Sequence, residues 1–157
     1  MPAITPCLWF DDQGEQAAEF YTSIFPNSKI TNVARYGPGS PRPEGTAMTI
    51  QFELDGREYV ALNGGPEFTF SEAMSLQVFC GSQAEVDEYW ERLTDGGQES
   101  QCGWLKDRYG LSWQIVPTAL GELLGDPDPQ RARRATEAML RMKKIDVAEI
   151  RRAADAA

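Results

Sequence analysis

The chain contains no histidine. That absence removes imidazole general acid–base catalysis, histidine-ligated metal centres and a side chain that titrates near neutrality. Cysteine is also scarce. Cys7, Cys80 and Cys102 are odd in number and form no CxxC pair, which argues against a disulfide framework or a thiolate zinc site. Each lies in or beside an apolar segment, so reduced, mostly buried thiols are expected. Long hydrophobic runs are missing: Ile4 to Phe10 is too short to span a bilayer, and no membrane partner is expected. Met1-Pro2-Ala3 has none of the features of a secretion signal, so the expected compartment is the cytoplasm. No GxGxG or GxGxxG occurs, and Gly37-Pro38-Gly39 sits in a proline-rich loop with no helix pattern after it. A nucleotide-type cofactor therefore has no expected phosphate turn.

Positive charge is sparse over most of the chain. The net charge is −9, which argues against nucleic acid and anionic membrane as partners. The imbalance is local: residues 131–157 hold eight Lys or Arg against four acids, and the first 130 hold seven against twenty. A basic tail on an acidic body points to a tail that docks on protein, its own or a second copy, or to a solvated basic helix.

The 157 residues suffice for one ordinary domain with a full core. Five segments alternate with period two, the pattern of strands with one apolar face. Ile4, Pro6, Leu8 and Phe10 oppose Thr5, Cys7 and Trp9. Met48, Ile50, Phe52 and Leu54 oppose Thr49, Gln51 and Glu53. Val60 and Leu62 oppose Tyr59, Ala61 and Asn63. Leu76, Val78 and Cys80 oppose Ser75, Gln77 and Phe79. Leu111, Trp113 and Ile115 oppose Ser112, Gln114 and Val116. Weaker strands are expected over Lys29 to Tyr36 and Glu99 to Lys106, and Asp55-Gly56 is a hairpin signal.

Helices follow the first and fourth of these segments. Asp12-Gln13-Gly14-Glu15 and Ser82-Gln83-Ala84-Glu85 both read as capping boxes. The boxes lie 70 residues apart, and at that offset Thr5 meets Ser75, Cys7 meets Gln77, Trp9 meets Phe79 and Phe20 meets Trp90. Strand, cap and helix aromatic recur together, which indicates a duplicated unit. The fold class is therefore α+β, with paired βαβββ modules and C-terminal helices. The expected parts of this single domain are module one at 1–66, module two at 72–118 and a helical extension at 119–157. In the extension, Thr118 to Leu124 and Gln130 to Lys144 read as helices, with a third capping box at Asp146 and Glu149. The final six residues are expected to fray.

The apolar strand faces must pack on the helices. The opposite faces combine small polar residues with aromatics, the lining of a small-molecule cavity. The ligand-binding candidates are Thr5, Cys7, Trp9, Tyr59, Asn63, Ser75, Gln77, Phe79, Cys102, Trp104 and Gln114. Cys102 and Trp104 enter because the polar, aromatic loop around them is expected at the cavity mouth. Asn63-Gly64-Gly65 offers either an amide and close backbone to a ligand or a plain turn. Glu53, and Asp107 with Arg108, are the carboxylates that general acid–base chemistry would use if they face the cavity.

Three segments carry a family likeness. ITPCLWFDDQGEQAAEFYTSIFPNSKI, CGWLKDRYGLSWQIVP and MKKIDVAEIRRA resemble the PhnB-like branch of the vicinal oxygen chelate superfamily. That superfamily includes glyoxalase I, bleomycin-resistance proteins and extradiol dioxygenases, and the branch often bears the name 3-demethylubiquinone-9 3-methyltransferase. The resemblance spans essentially the whole chain and implies paired βαβββ modules and a homodimer. In metal-dependent members it implies ligands on the first and fourth strands of each module. Those positions fall near Thr5, Ala61, Ser75 and Gln114, with a one-residue slip allowed at the first two. None is His, Asp or Glu, so neither a metal nor another cofactor is expected. S-adenosylmethionine, which the branch name implies, has no glycine-rich turn to receive it. The expected function is metal-free binding of a small aromatic or amphipathic ligand, on the bleomycin-resistance pattern. The alternatives are an enzyme of unknown reaction on the same fold, whether transferase, lyase or isomerase, and an interaction protein that dimerises through its C-terminal helices.

Overall fold

A computed structural model describes residues 2–156. The chain divides into two compact units, Met1–Phe70 and Ser71–Ala157.

The first unit runs β1 (Cys7–Phe10), α1 (Gly14–Ile24), β2 (Lys29–Arg35), β3 (Ala47–Leu54) and β4 (Arg57–Asn63). Its sheet order is β1-β4-β3-β2, with β1 parallel to β4 and the other neighbours antiparallel. The Asp55-Gly56 hairpin is present: both residues take positive φ, 49° and 76°, as a tight turn between twisted strands requires. Leu8, Phe10, Ile50, Phe52 and Ala61 are buried under Ala17, Ala18, Tyr21 and Ile24 of α1. Helix spacing puts those four on one face.

The second unit repeats the plan with β5 (Ser75–Cys80), α2 (Gln83–Thr94), β6 (Gln98–Glu99), β7 (Trp104–Lys106) and β8 (Ser112–Pro117). Its order is β5-β8-β7-β6, again with the first and last strands parallel. The duplication is thus a repeat of topology. In the helices the offset is 69 rather than 70: buried Ala17, Tyr21 and Ile24 correspond to buried Val86, Trp90 and Leu93. Trp90 therefore matches Tyr21, and the half-buried Phe20 lies beside the buried stripe.

Three helices close the chain: α3 (Ala119–Leu124), α4 (Pro129–Leu140) and α5 (Val147–Asp155). They share a core of Leu120, Ala135, Ala138, Met142, Ile145, Val147, Ile150 and Ala154. Gln83 of α2 ties these helices to the rest of the second unit, donating to Ile145 O at 2.8 Å and accepting from Val147 N at 3.0 Å. Lys144 pairs with Asp87, and the amides of Cys102 and Gly103 donate to the carbonyls of Met142 and Lys143. Much of the basic charge is used internally. Arg134 donates twice to Ala154 O at the end of α5, and Arg131 bridges Asp126 and Asp155. Helix α5 continues to Asp155 with Ala154 buried, so the fraying expected from residue 152 is not seen there. Ala157 lies outside the described residues.

Several local expectations are corrected. Helix α1 has Gln13, not Asp12, at its N-cap, and no side chain of the cap residue bonds to it. The Ser82 and Asp146 caps do form, each accepting from the amide three residues on. The segment from Glu99 to Lys106 is two short strands around a turn, because Cys102 (φ 57°) and Gly103 (φ 84°) take left-handed backbone. The two faces of β4 are the reverse of the reading from apolarity. Tyr59, Ala61 and Asn63 pair with or neighbour Phe52, Ile50 and Phe10 on the helix side, and Val60 and Leu62 stand on the open face. Cys7, expected to be mostly buried, is exposed.

Candidate functional site

Each sheet has one face under its helices and one face away from them. Strand register fixes which residues share the second face, because directly paired residues project to the same side.

In the second unit, paired residues form two rows. Ser75, Ser112, Lys106 and Gln98 lie across β5, β8, β7 and β6, and the next row is Gln77, Gln114 and Trp104. Phe79 and Val116 follow. The second row is wired together: Gln77 Nε2 donates to Gln114 Oε1 at 3.3 Å, and Gln114 Nε2 donates to Ser75 Oγ at 2.8 Å. Phe79 is 63% exposed, a large apolar ring open on a polar face. Over the first row lies a pocket of about 230 Å³, bounded by Glu72, Trp104, Lys106 and Ser112 among others. Lys106 forms an ion pair with Glu72, whose carboxyl is held below its ordinary range chiefly by that hydrogen bond. Ser112 is 1% exposed, and its hydroxyl has no hydrogen-bond partner among the described residues.

In the first unit the open face carries Cys7, Trp9, Thr49, Gln51, Val60 and Leu62. Trp9 is half buried. Its indole N–H donates to Gly65 O at 2.9 Å, and its ring meets Phe68 edge-on at 4.9 Å. A Cβ on Gly64 would come within 2.4 Å of the Trp9 ring, so glycine at 64 makes room for Trp9. Partial desolvation of the otherwise exposed Cys7 side chain raises the pKa of its thiol.

The sequence-derived candidates separate accordingly. Ser75, Gln77, Phe79, Trp104 and Gln114 come together on the second sheet, and Cys7 and Trp9 lie on the first. Thr5 precedes β1 and is half buried. Tyr59 and Asn63 are on the helix side: Tyr59 stacks on Phe52 at 5.5 Å, and Asn63 is buried and bonded to α1. Cys102 sits in the β6–β7 turn, its amide bound to the C-terminal extension. Asp107, considered above as a catalytic acid, is buried and accepts from Tyr109 N, Leu111 N and Trp113 Nε1, at 2.8, 3.1 and 2.8 Å. That is a turn-organising role. Arg108 pairs with Asp95. Lys106, Ser112, Gln98 and Glu72 were not among the site candidates. Lys106 is two residues from Trp104 on one strand, and period two already places them on one face.

Paired βαβββ units, each with a parallel first and last strand, define the glyoxalase-like fold of the vicinal oxygen chelate superfamily. Within it, the chain belongs to the family described as 3-demethylubiquinone-9 3-methyltransferase, whose sequence model matches residues 2–116. A PhnB protein from Bacillus cereus is 35% identical, with a TM-score of 0.69 over 74% of this chain and 100% of that one. Protein PA1353 from Pseudomonas aeruginosa, at 19% identity, gives a TM-score of 0.61 over 74% and 98%. The fosfomycin resistance protein FosX from Listeria monocytogenes, complexed with Mn(II) and sulfate, gives 0.54 at 16% identity, over 79% and 95%. No curated protein matches the chain. The family model matches residues 2–116, and the MKKIDVAEIRRA block lies beyond that match.

The residues present do not fit the two groups that the superfamily and family names imply. Among the described residues no three His, Cys, Asp or Glu side chains gather. Register sets Val60 of β4 opposite Cys7 as Gln114 of β8 is opposite Gln77, so that position in the first unit offers no donor atom. The remaining donors are neutral hydroxyls and one amide. Such a set is a poor match for a divalent ion. A nucleotide-type methyl donor fares no better. The Gly37–Gly39 loop joins two strands, and at the strand-to-helix turns before α1 and α2 the amides of Gly14 and Glu85 are taken by Asn63 and Ser82.

Proposed function

We propose that this protein binds a small aromatic or amphipathic molecule without a metal, on the open faces described above. The observation that carries this reading is the second sheet's face, where the Gln77–Gln114–Ser75 chain of amides and hydroxyl lies between Trp104 and the exposed ring of Phe79. Amides orient a ligand's polar atoms, and the rings supply apolar contact area. On the first sheet Trp9 is held in place by Gly65 and Phe68, so its ring is already set for contact. The working form is a homodimer in the cytoplasm.

The test is a thermal-shift screen of small aromatic and amphipathic compounds against the full chain, because a ligand that binds the native state raises the melting temperature. Gln114→Ala is expected to weaken hits on the second sheet by about tenfold, and Trp9→Ala to weaken hits on the first sheet. An affinity unchanged in both variants overturns the assignment. Sedimentation of the full chain as a monomer at micromolar concentration overturns the dimer.

A further inference from the structure

The pocket over Ser112 contains two features that the proposed function leaves unused: a buried hydroxyl with no hydrogen-bond partner among the described residues, and a lysine whose partner is a loop carboxylate. We infer that this pocket is an oxyanion subsite, in which a carboxylate of the bound molecule takes the place of Glu72 on Lys106 and accepts a hydrogen bond from Ser112 Oγ. The inference rests on the reading that the open face of the second sheet binds a small molecule.

A buried hydroxyl without a partner is costly, and native proteins leave few of them. Ser112 is 1% exposed, borders the pocket, and is paired across the sheet with Lys106. A carboxylate has two oxygens, so one can meet the ammonium and the other the hydroxyl. Glu72 is easily displaced. Its side chain is 62% exposed, surface ion pairs contribute little, and once released the carboxylate returns to water. A cationic ligand would meet the Lys106 charge, and a neutral one would leave the Lys106–Glu72 pair intact. The other acid at the pocket, Glu99, is occupied by the Trp90 indole N–H at 2.8 Å. At about 230 Å³ the space equals that of about eight waters. It suits a single-ring acid, with Trp104 beside the ring.

The experiment titrates benzoate, and benzamide as its neutral counterpart of similar shape, into the full chain by calorimetry. Benzoate is expected to bind at least tenfold more tightly than benzamide. Glu72→Gln should strengthen benzoate and leave benzamide unchanged. Lys106→Met and Ser112→Ala should each cost benzoate about tenfold or more, and Ser112→Ala should melt no lower than the parent. Equal binding of the two probes, or no gain from Glu72→Gln, overturns the subsite. If both probes bind equally and Gln114→Ala still weakens them, the broader ligand-binding reading stands and only the oxyanion subsite falls. If neither probe binds and the compound screen is empty, both fall.

Discussion

Asn63 Oδ1 accepts the amide of Gly14 at 2.7 Å, so the last residue of β4 caps the helix that follows β1. Its own amide group donates to Ala47 O at 3.0 Å, and its carbonyl accepts from the Tyr36 hydroxyl at 2.6 Å. One buried side chain thus joins β4, α1 and β3. Asn63→Ala leaves a buried N–H and a buried C=O unpaired, and is expected to lower stability by about 2–3 kcal/mol in urea unfolding. Gly14→Ala should also destabilise, because its Cβ would lie 2.7 Å from Asn63 Oδ1 and 3.3 Å from Ala61 Cβ. A midpoint unchanged in both variants would show that this cap does not hold the first unit together.

Asp107 receives three donors from its own turn and from Trp113. Asp107→Ala strands them in a buried place and should cost at least about 3 kcal/mol. The loss should appear in thermal and urea melts. A variant that melts normally but loses ligand binding or turnover would return Asp107 to the site.

Burial, with the Glu85 charge as a lesser cause, pushes the Cys80 thiol up to about 11. At pH 8 almost none of it is thiolate, and the side chain is buried. Iodoacetamide should therefore label exposed Cys7 in the native protein, and Cys80 only after denaturation. Rapid labelling of Cys80 in the folded chain, read by peptide mass, would contradict this packing.

The Asp87 carboxyl is held below its ordinary range, first by the hydrogen bond from Lys144 and then by that from Gln83. A carboxyl whose folded value is depressed contributes stability above its unfolded pKa, about 3.9, and loses it as pH falls through the folded value. Asp87 lies on α2 and Lys144 in the C-terminal extension, so acidification below about pH 4 should loosen that attachment. The urea midpoint should fall less steeply from pH 5 to pH 3 in Asp87→Asn than in the parent. Identical slopes would remove this pair from the acid response.

Much of the fold was legible in sequence because it rests on local periodicity. Alternation in residues 48–54 and 111–116 marked strands whose buried face is the apolar one. Ser82 and Asp146 marked helix starts because a cap is made within four residues. The repeat was visible because the strand and helix patterns recur, although the residue that matches Trp90 is Tyr21 and not Phe20. The site was legible only where period two sufficed, as for Ser75, Gln77 and Phe79 on β5.

What the sequence by itself determined is the kind of chemistry available and the element plan. The chain holds no histidine, so no folding can place an imidazole at those strand positions, and the strand–helix–strand order is written in local pattern. Tertiary structure alone decided which way β4 faces. That strand lies between β1 and β3, so its inward residues follow the register with Leu8, Phe10 and Ile50, and apolarity does not choose them. Tyr59 and Asn63 thereby left the open face and Val60 and Leu62 joined it. Register likewise set Lys106 opposite Ser112, and a loop from outside the sheet brought Glu72 to Lys106. These juxtapositions are long-range, and a pattern with a period of two residues carries no information about which strand lies alongside.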